Sequence, residues 1–176
     1  MRFTETKLQG AFIIDIEPIE DERGFFARSF CRKEFIEHGL KPDLAQCNIS
    51  FNKKQGTLRG MHYQKAPHAE AKVVRCTRGA IYDVIVDLRP DSPGFKQWVG
   101  VELSADNHRM LYVPEGFAHG FQTLQDNSEV LYQMSCDYVP DCAAGVRWND
   151  PLLNIHWPGA PLVISRRDSE LPGIEE

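Results

Sequence analysis

Apolar and polar side chains alternate along this chain with a period of two almost throughout. Period two marks strands with one buried face, whereas an amphipathic helix repeats every three to four residues. Runs of this kind lie at 11–17 (AFIIDIE), 45–51 (AQCNISF), 57–63 (TLRGMHY), 72–77, 80–88, 97–103, 110–113 and 129–138, with PEGFAHGFQTL at 114–124. Turn formers separate them: DERG at 21–24, Asn52 to Gln55, Arg78–Gly79, RPDSPGF at 89–95 and ADNHR before 110. One short segment, RKEFIEH at 32–38, has helical character and is closed by Gly39. LVISRRD at 162–168 reads as a last strand or an extended segment ending at Asp168. Many short strands with regular turns and one helix candidate predict an all-β fold, a jelly-roll sandwich or barrel with few short helices, formed by residues 1–176 as a single domain.

The same periodicity assigns faces. His62 falls with Leu58 and Gly60, and Arg59 points the other way. Gly60 lacks a side chain, which lets another group, such as a ligand, approach its backbone. Lys72, Val74 and Cys76 share a face, as do Val130, Tyr132, Met134, Cys136 and Tyr138. Gln46, Asn48 and Ser50 share another, which either meets solvent or lines a polar cavity. His62, Arg59 and Lys72 on two neighbouring strands beside a glycine suggest a site for an anionic, oxygen-rich ligand. Arg23, in the DERG turn, has the side chain to fork onto phosphate oxygens.

Composition narrows the classes. The chain has 176 residues, 42% hydrophobic and 26% charged, which fits a folded domain with a sizeable core. A net charge of −5 argues against nonspecific binding to nucleic acid or an acidic membrane. No apolar run approaches a membrane span, and the beginning, MRFTETKLQGAF, lacks the apolar segment of a signal peptide. Cys31, Cys47, Cys76, Cys136 and Cys142 form no CxxC pair, so reduced thiols and a cytoplasmic location are expected.

PEGFAHGF at 114–121 fits the second half-motif of cupins, Pro-x-Gly-x-x-His. The first half-motif needs two histidines one residue apart and then a glutamate. His62 and His68 are six apart, with Glu70 beyond, so no bound metal and no cofactor are expected. DERGFF, QCNIS, GTLRGMHYQ, PHAEAK, RGAIYDVIVDLR, PEGFAHGFQ, VLYQ, RWNDP and ISRRD, in this order and spacing, resemble the dTDP-4-dehydrorhamnose 3,5-epimerase family of cupin-class nucleotide-sugar epimerases. The resemblance implies a jelly roll, a homodimer, no metal, and a substrate such as dTDP-4-keto-6-deoxyglucose on the way to a cell-surface polysaccharide. By the same resemblance His62 matches the base and Asp168 its carboxylate partner. Lys72 matches the cation at the ketone oxygen, and Tyr132 the acid on the opposite face of the ring. Tyr138 matches a further site tyrosine. Arg23, Gln46, Asn48, Arg59 and His119 would contact the nucleotide, the diphosphate or the sugar. Arg28 and the DCAA stretch at 141–144 depart from the usual glutamates, which leaves base and sugar open. Three other readings remain: a monofunctional 3- or 5-epimerase or ketoisomerase, a metal-dependent cupin, and a sugar-nucleotide-binding cupin without catalysis.

Overall fold

A computed structural model describes residues 1–174. In chain order the strands are β1 Arg2–Glu5, β2 Phe12–Asp15, β3 Ile19–Asp21, β4 Gly24–Phe26, β5 Gln46–Asn52, β6 Thr57–Gln64 and β7 Lys72–Arg78. They continue as β8 Ala80–Asp87, β9 Trp98–Ser104, β10 Met110–Val113, β11 Phe117–Thr123, β12 Ser128–Met134, β13 Ala143–Gly145 and β14 Val163–Ile164. Helix α1 covers Arg32–Glu37 and α2 covers Arg166–Ser169. One sheet has the order β1-β2-β10-β7-β12-β5 and the other β13-β6-β11-β8-β9, with β14 added parallel to β6. The chain changes sheet at both β5–β6 and β7–β8, so the turns at Asn52–Gln55 and Arg78–Gly79 cross between layers and close no hairpin. These crossings make the sandwich a jelly roll.

Alternation along each strand fills three apolar layers. Between the sheets lie Val74, Cys76, Ile81, Ile85, Leu111 and Phe121. On the outer face of the first sheet, Ile14, Val73, Met110 and Tyr112 pack under Phe35 of α1. On the outer face of the second, Met61, Val84, Val86 and Ala118 are covered by Val146, Leu153 and Trp157 from the C-terminal segment. That segment has no regular period in the sequence because it packs as a cover, with prolines and turns in place of strands.

Strand β2 pairs with β1 on one side and β10 on the other. Three expectations need correction. The run at 129–138 ends as a strand at Met134, and Tyr138 stands on the following loop. The last segment is only briefly extended, at Val163–Ile164; Ser165 then caps α2 by accepting the Asp168 N–H at 3.1 Å, so Asp168 sits in a helical turn. The faces of β6 also differ. His62 pairs with His119 and Arg59 with Phe121, so two residues on β6, Gly60 and Met61, lie opposite one on β11, Gly120, which is a bulge. The extra residue turns Arg59 and His62 to the same side.

Candidate active site

The bulge turns on Gly60, whose φ of +124° lies where side chains are strained. A Cβ there would stand 2.5 Å from the Gly120 Cα, so the group that approaches Gly60 is the backbone of β11. The Gly60 N–H points at Asp168 Oδ2, 3.2 Å away.

Residues from both sheets meet in one cavity of about 390 Å³, the size of a small-ligand site. The first sheet contributes Asn48, Tyr132 and Lys72, and pairing sets their places: Tyr132 opposes Asn48 on β5 and Val74 on β7, while Met134 opposes Lys72. The second sheet contributes Arg59, His62 and His119. Asp168 enters from α2, which is carried to β6 by the pairing of Val163 with Thr57 and Ile164 with Leu58. Thus seven of the ten expected site residues line one space. The face of Asn48 and Ser50 is a cavity wall.

Most of the polar groups there are held by a partner. His62 Nε2 lies 2.8 Å from Asp168 Oδ1. A carboxylate accepting at Nε2 puts the hydrogen of the neutral ring there and leaves Nδ1 free to take a proton. Burial alone would raise the Asp168 carboxyl, but hydrogen bonds from His62, the Gly60 amide and Ser165 outweigh it and hold it below the ordinary carboxylate value. His119 Nε2 lies 2.7 Å from Asp83 Oδ1, forming a second, deeper pair. Burial pushes the Asp83 carboxyl up, against the opposing effects of His119 and Lys72. The second oxygen of Asp83 has no hydrogen-bond partner among the described residues. Lys72 Nζ is 2.9 Å from Glu70 Oε1, and Arg59 Nε donates to Asn52 Oδ1 at 2.7 Å. Tyr132 is partly buried against the inter-sheet core, and its ring meets that of His119 edge-on at 6.0 Å. Desolvation, reinforced by the charge of Asp83, raises its phenol well above the ordinary value. Among the described residues no cluster of three or more His, Cys, Asp or Glu is placed to hold a metal ion.

Three expected residues lie elsewhere. Gln46 uses its side-chain oxygen to accept the Tyr138 backbone N–H at 3.0 Å, which makes it a support for that loop. Tyr138, 49% exposed, lines a smaller cavity of about 250 Å³ that shares His62 and Lys72 with the first. Arg23 stands on the β3–β4 hairpin, its side chain 84% exposed and paired with Asp21 at 2.5 Å, outside the cavity. Ser50, Ser165 and Arg167 also line the cavity, and Asp83 lies behind His119. Asp83 was detectable: period two puts it inward between Ile81 and Ile85, an acidic group at a core position. Arg167 had no such signal, because one of two adjacent arginines on a short tail cannot be chosen by pattern.

Residues 5–176 match the protein family described as dTDP-4-dehydrorhamnose 3,5-epimerase. A curated relative of that name from Shigella flexneri is 44% identical over 169 residues, covering 96% of this chain and 93% of its own. Among solved structures, the dTDP-4-dehydrorhamnose 3,5-epimerase of Bacillus anthracis with TDP and PPi bound is 45% identical, with a TM-score of 0.94 and coverage of 98% of this chain and 99% of that one. A 3′-monoepimerase from Streptomyces bikiniensis in complex with dTDP-quinovose is 32% identical, with a TM-score of 0.88 over 96% of this chain and 85% of that one.

Proposed function

Because the chain belongs to the dTDP-4-dehydrorhamnose 3,5-epimerase family, we propose that its cavity inverts C3 and C5 of a dTDP-linked 4-keto-6-deoxy sugar. The observation that carries this is the placing of His62, backed by Asp168, on one sheet, and of Tyr132 and Lys72 on the other, around one space. A C–H next to a ketone is acidic enough to remove once the oxygen that gathers the charge is stabilised. His62 takes that proton, and Asp168 stabilises the imidazolium that results. The electron pair moves to the ketone oxygen, where the Lys72 ammonium faces the growing negative charge. The raised phenol of Tyr132 keeps its proton until the enolate carbon accepts it from the other side, and that inverts the centre. The ketone of the substrate itself serves as the electron sink, so the scheme uses no metal and no organic cofactor. Arg59, Asn48 and His119 are assigned to the diphosphate and sugar oxygens.

The same reading places the protein in the cytoplasm, in dTDP-rhamnose supply for a cell-surface polysaccharide, and as a homodimer. No helix among the described residues is long and apolar enough to cross a membrane.

The test is proton exchange. With a dTDP-4-keto-6-deoxy sugar in D₂O, both C3 and C5 take up deuterium with inverted configuration. Label at a single carbon makes the protein a monofunctional epimerase like the S. bikiniensis neighbour. Tyr132→Phe retains wash-in but yields little inverted product, whereas His62→Ala abolishes wash-in. Exchange at the wild-type rate in His62→Ala places the base elsewhere.

A further inference from the structure

Two buried residues outside the cavity's main lining, Gln64 and Glu70, connect the site cation to the loop that carries Tyr138. Gln64 ends β6, two positions after His62, and is 3% exposed. Its Nε2 faces three acceptors: the His68 carbonyl at 3.0 Å, the Asp137 carbonyl at 3.1 Å and Glu70 Oε2 at 3.2 Å. Its Oε1 accepts the Val139 N–H at 2.7 Å. Gln46 accepts the Tyr138 N–H, so three consecutive residues of the loop are fixed by two glutamines. The other oxygen of Glu70 pairs with Lys72 Nζ at 2.9 Å, the two side chains being 5% and 9% exposed.

We propose that Gln64 and Glu70 are positioning residues that set the Lys72 ammonium and the loop carrying Tyr138 as one unit. A buried carboxylate cannot be left unpaired cheaply, so Glu70 holds both Lys72 and Gln64. An ammonium has three hydrogens and a carboxamide two, so Lys72 can meet a ketone oxygen while it keeps Glu70, and Gln64 has no hydrogen to spare. Glu70 is the one charged acceptor of the three, so its loss removes the strongest pull on the Gln64 amide and loosens the backbone of residues 137–139 that the amide holds. The catalytic half of this inference rests on the epimerase reading; the mechanical half does not.

The experiment has two arms. In the first, amide hydrogen exchange is followed at Tyr138 and Val139 in the ligand-free protein. Gln64→Leu removes the acceptor of Val139 and speeds its exchange. Glu70→Ala speeds it too, although Glu70 touches neither amide. Wild-type exchange of both amides in Glu70→Ala overturns the coupling. In the second arm, Glu70→Gln keeps the shape but removes the negative partner of Lys72, and kcat falls about tenfold with little change in KM, less than the ~10²–10³ of deleting an oxyanion donor. Gln64→Leu instead raises KM more than it lowers kcat. A kcat for Glu70→Gln within twofold of wild type overturns the positioning of Lys72. If the wild-type protein exchanges no deuterium into any 4-keto sugar, the epimerase reading fails, and the exchange arm still decides whether the two residues tie the loop.

Discussion

Asp168 shows how much a single side chain does here. One of its oxygens meets His62 and the other the Gly60 N–H, while its own N–H is capped by Ser165. Asp168→Asn keeps the shape, loses the charge and lets the wrong tautomer of His62 form. The expected result is a fall in kcat of ~10²–10⁴, the range of general acid–base groups, with nucleotide-sugar affinity little changed. The same substitution has a pH signature in stability. The folded carboxyl is held below its ordinary value, so its stabilising contribution is present above the unfolded-state pKa of about 4 and is lost as pH falls through the lower folded value. Thermal melts should therefore show a wild-type advantage over Asp168→Asn at neutral pH that shrinks on acidification below about pH 4. An advantage that is flat with pH would mean that the charge is not what Asp168 contributes. Tyr132 behaves in the opposite sense. Its phenol is raised, so it remains a proton donor beyond the ordinary value of about 10. The kcat profile should show no Tyr132 limb below that pH, and a limb that appears near neutrality and vanishes in Tyr132→Phe would contradict its assignment.

At the scale of elements, the site depends on the bulge in β6. Were β6 a regular strand through Gly60 with no bulge, His62 and Arg59, three residues apart, would face opposite sides of the sheet, as strict alternation requires. Gly60→Ala combines a strained φ with a Cβ only 2.5 Å from the Gly120 Cα. The expected loss of stability is about 2–4 kcal/mol, read from denaturant midpoints. What survives should bind ligand poorly, because relief of the clash shifts β6 against β11. A fully stable and active Gly60→Ala protein would show that the close approach can relax. This bulge also explains which parts of the site were legible in the sequence. Period two located β5, β7, β8 and β12 and grouped Asn48 with Ser50, Lys72 with Val74 and Tyr132 with Met134, because those strands pair in regular register across these residues, the one shift between β7 and β12 falling at Glu129–Val130. It failed at β6 because one inserted residue reverses every face beyond it, and a lone glycine does not announce whether it bulges. It failed again after Met134, where a plausible alternation in SCDY belongs to a loop held by glutamine side chains. Asp168 was identified through family resemblance, since no periodicity in ISRRD shows a helical turn docking on β6.

At the scale of the whole molecule, the outlying position of Arg23 bears on assembly. The β3–β4 hairpin leaves Ile19 and Phe26 71% and 77% exposed. The edge strand β5, next to the cavity, leaves Ile49 65% and Phe51 43% exposed on its outer face. Apolar surface of this kind on a hairpin and a sheet edge is a liability unless it is covered. A two-fold dimer that lays the hairpin of one subunit along the β5 edge of the other would cover both surfaces and bring Arg23 to a cavity already lined by Arg59 and Arg167. This reading predicts complementation. Arg23→Ala should weaken nucleotide-sugar binding and His62→Ala should abolish catalysis, each as a pure homodimer. After the two variants are unfolded together and refolded, a mixed dimer holds one cavity with an intact His62 that receives Arg23 from the other subunit. Activity at low substrate should then rise above that of either variant alone, approaching a quarter of wild type for random pairing. If Arg23 serves the cavity of its own subunit, every cavity in the mixture lacks one residue or the other. Mixing would then restore nothing, whatever the oligomeric state measured by light scattering.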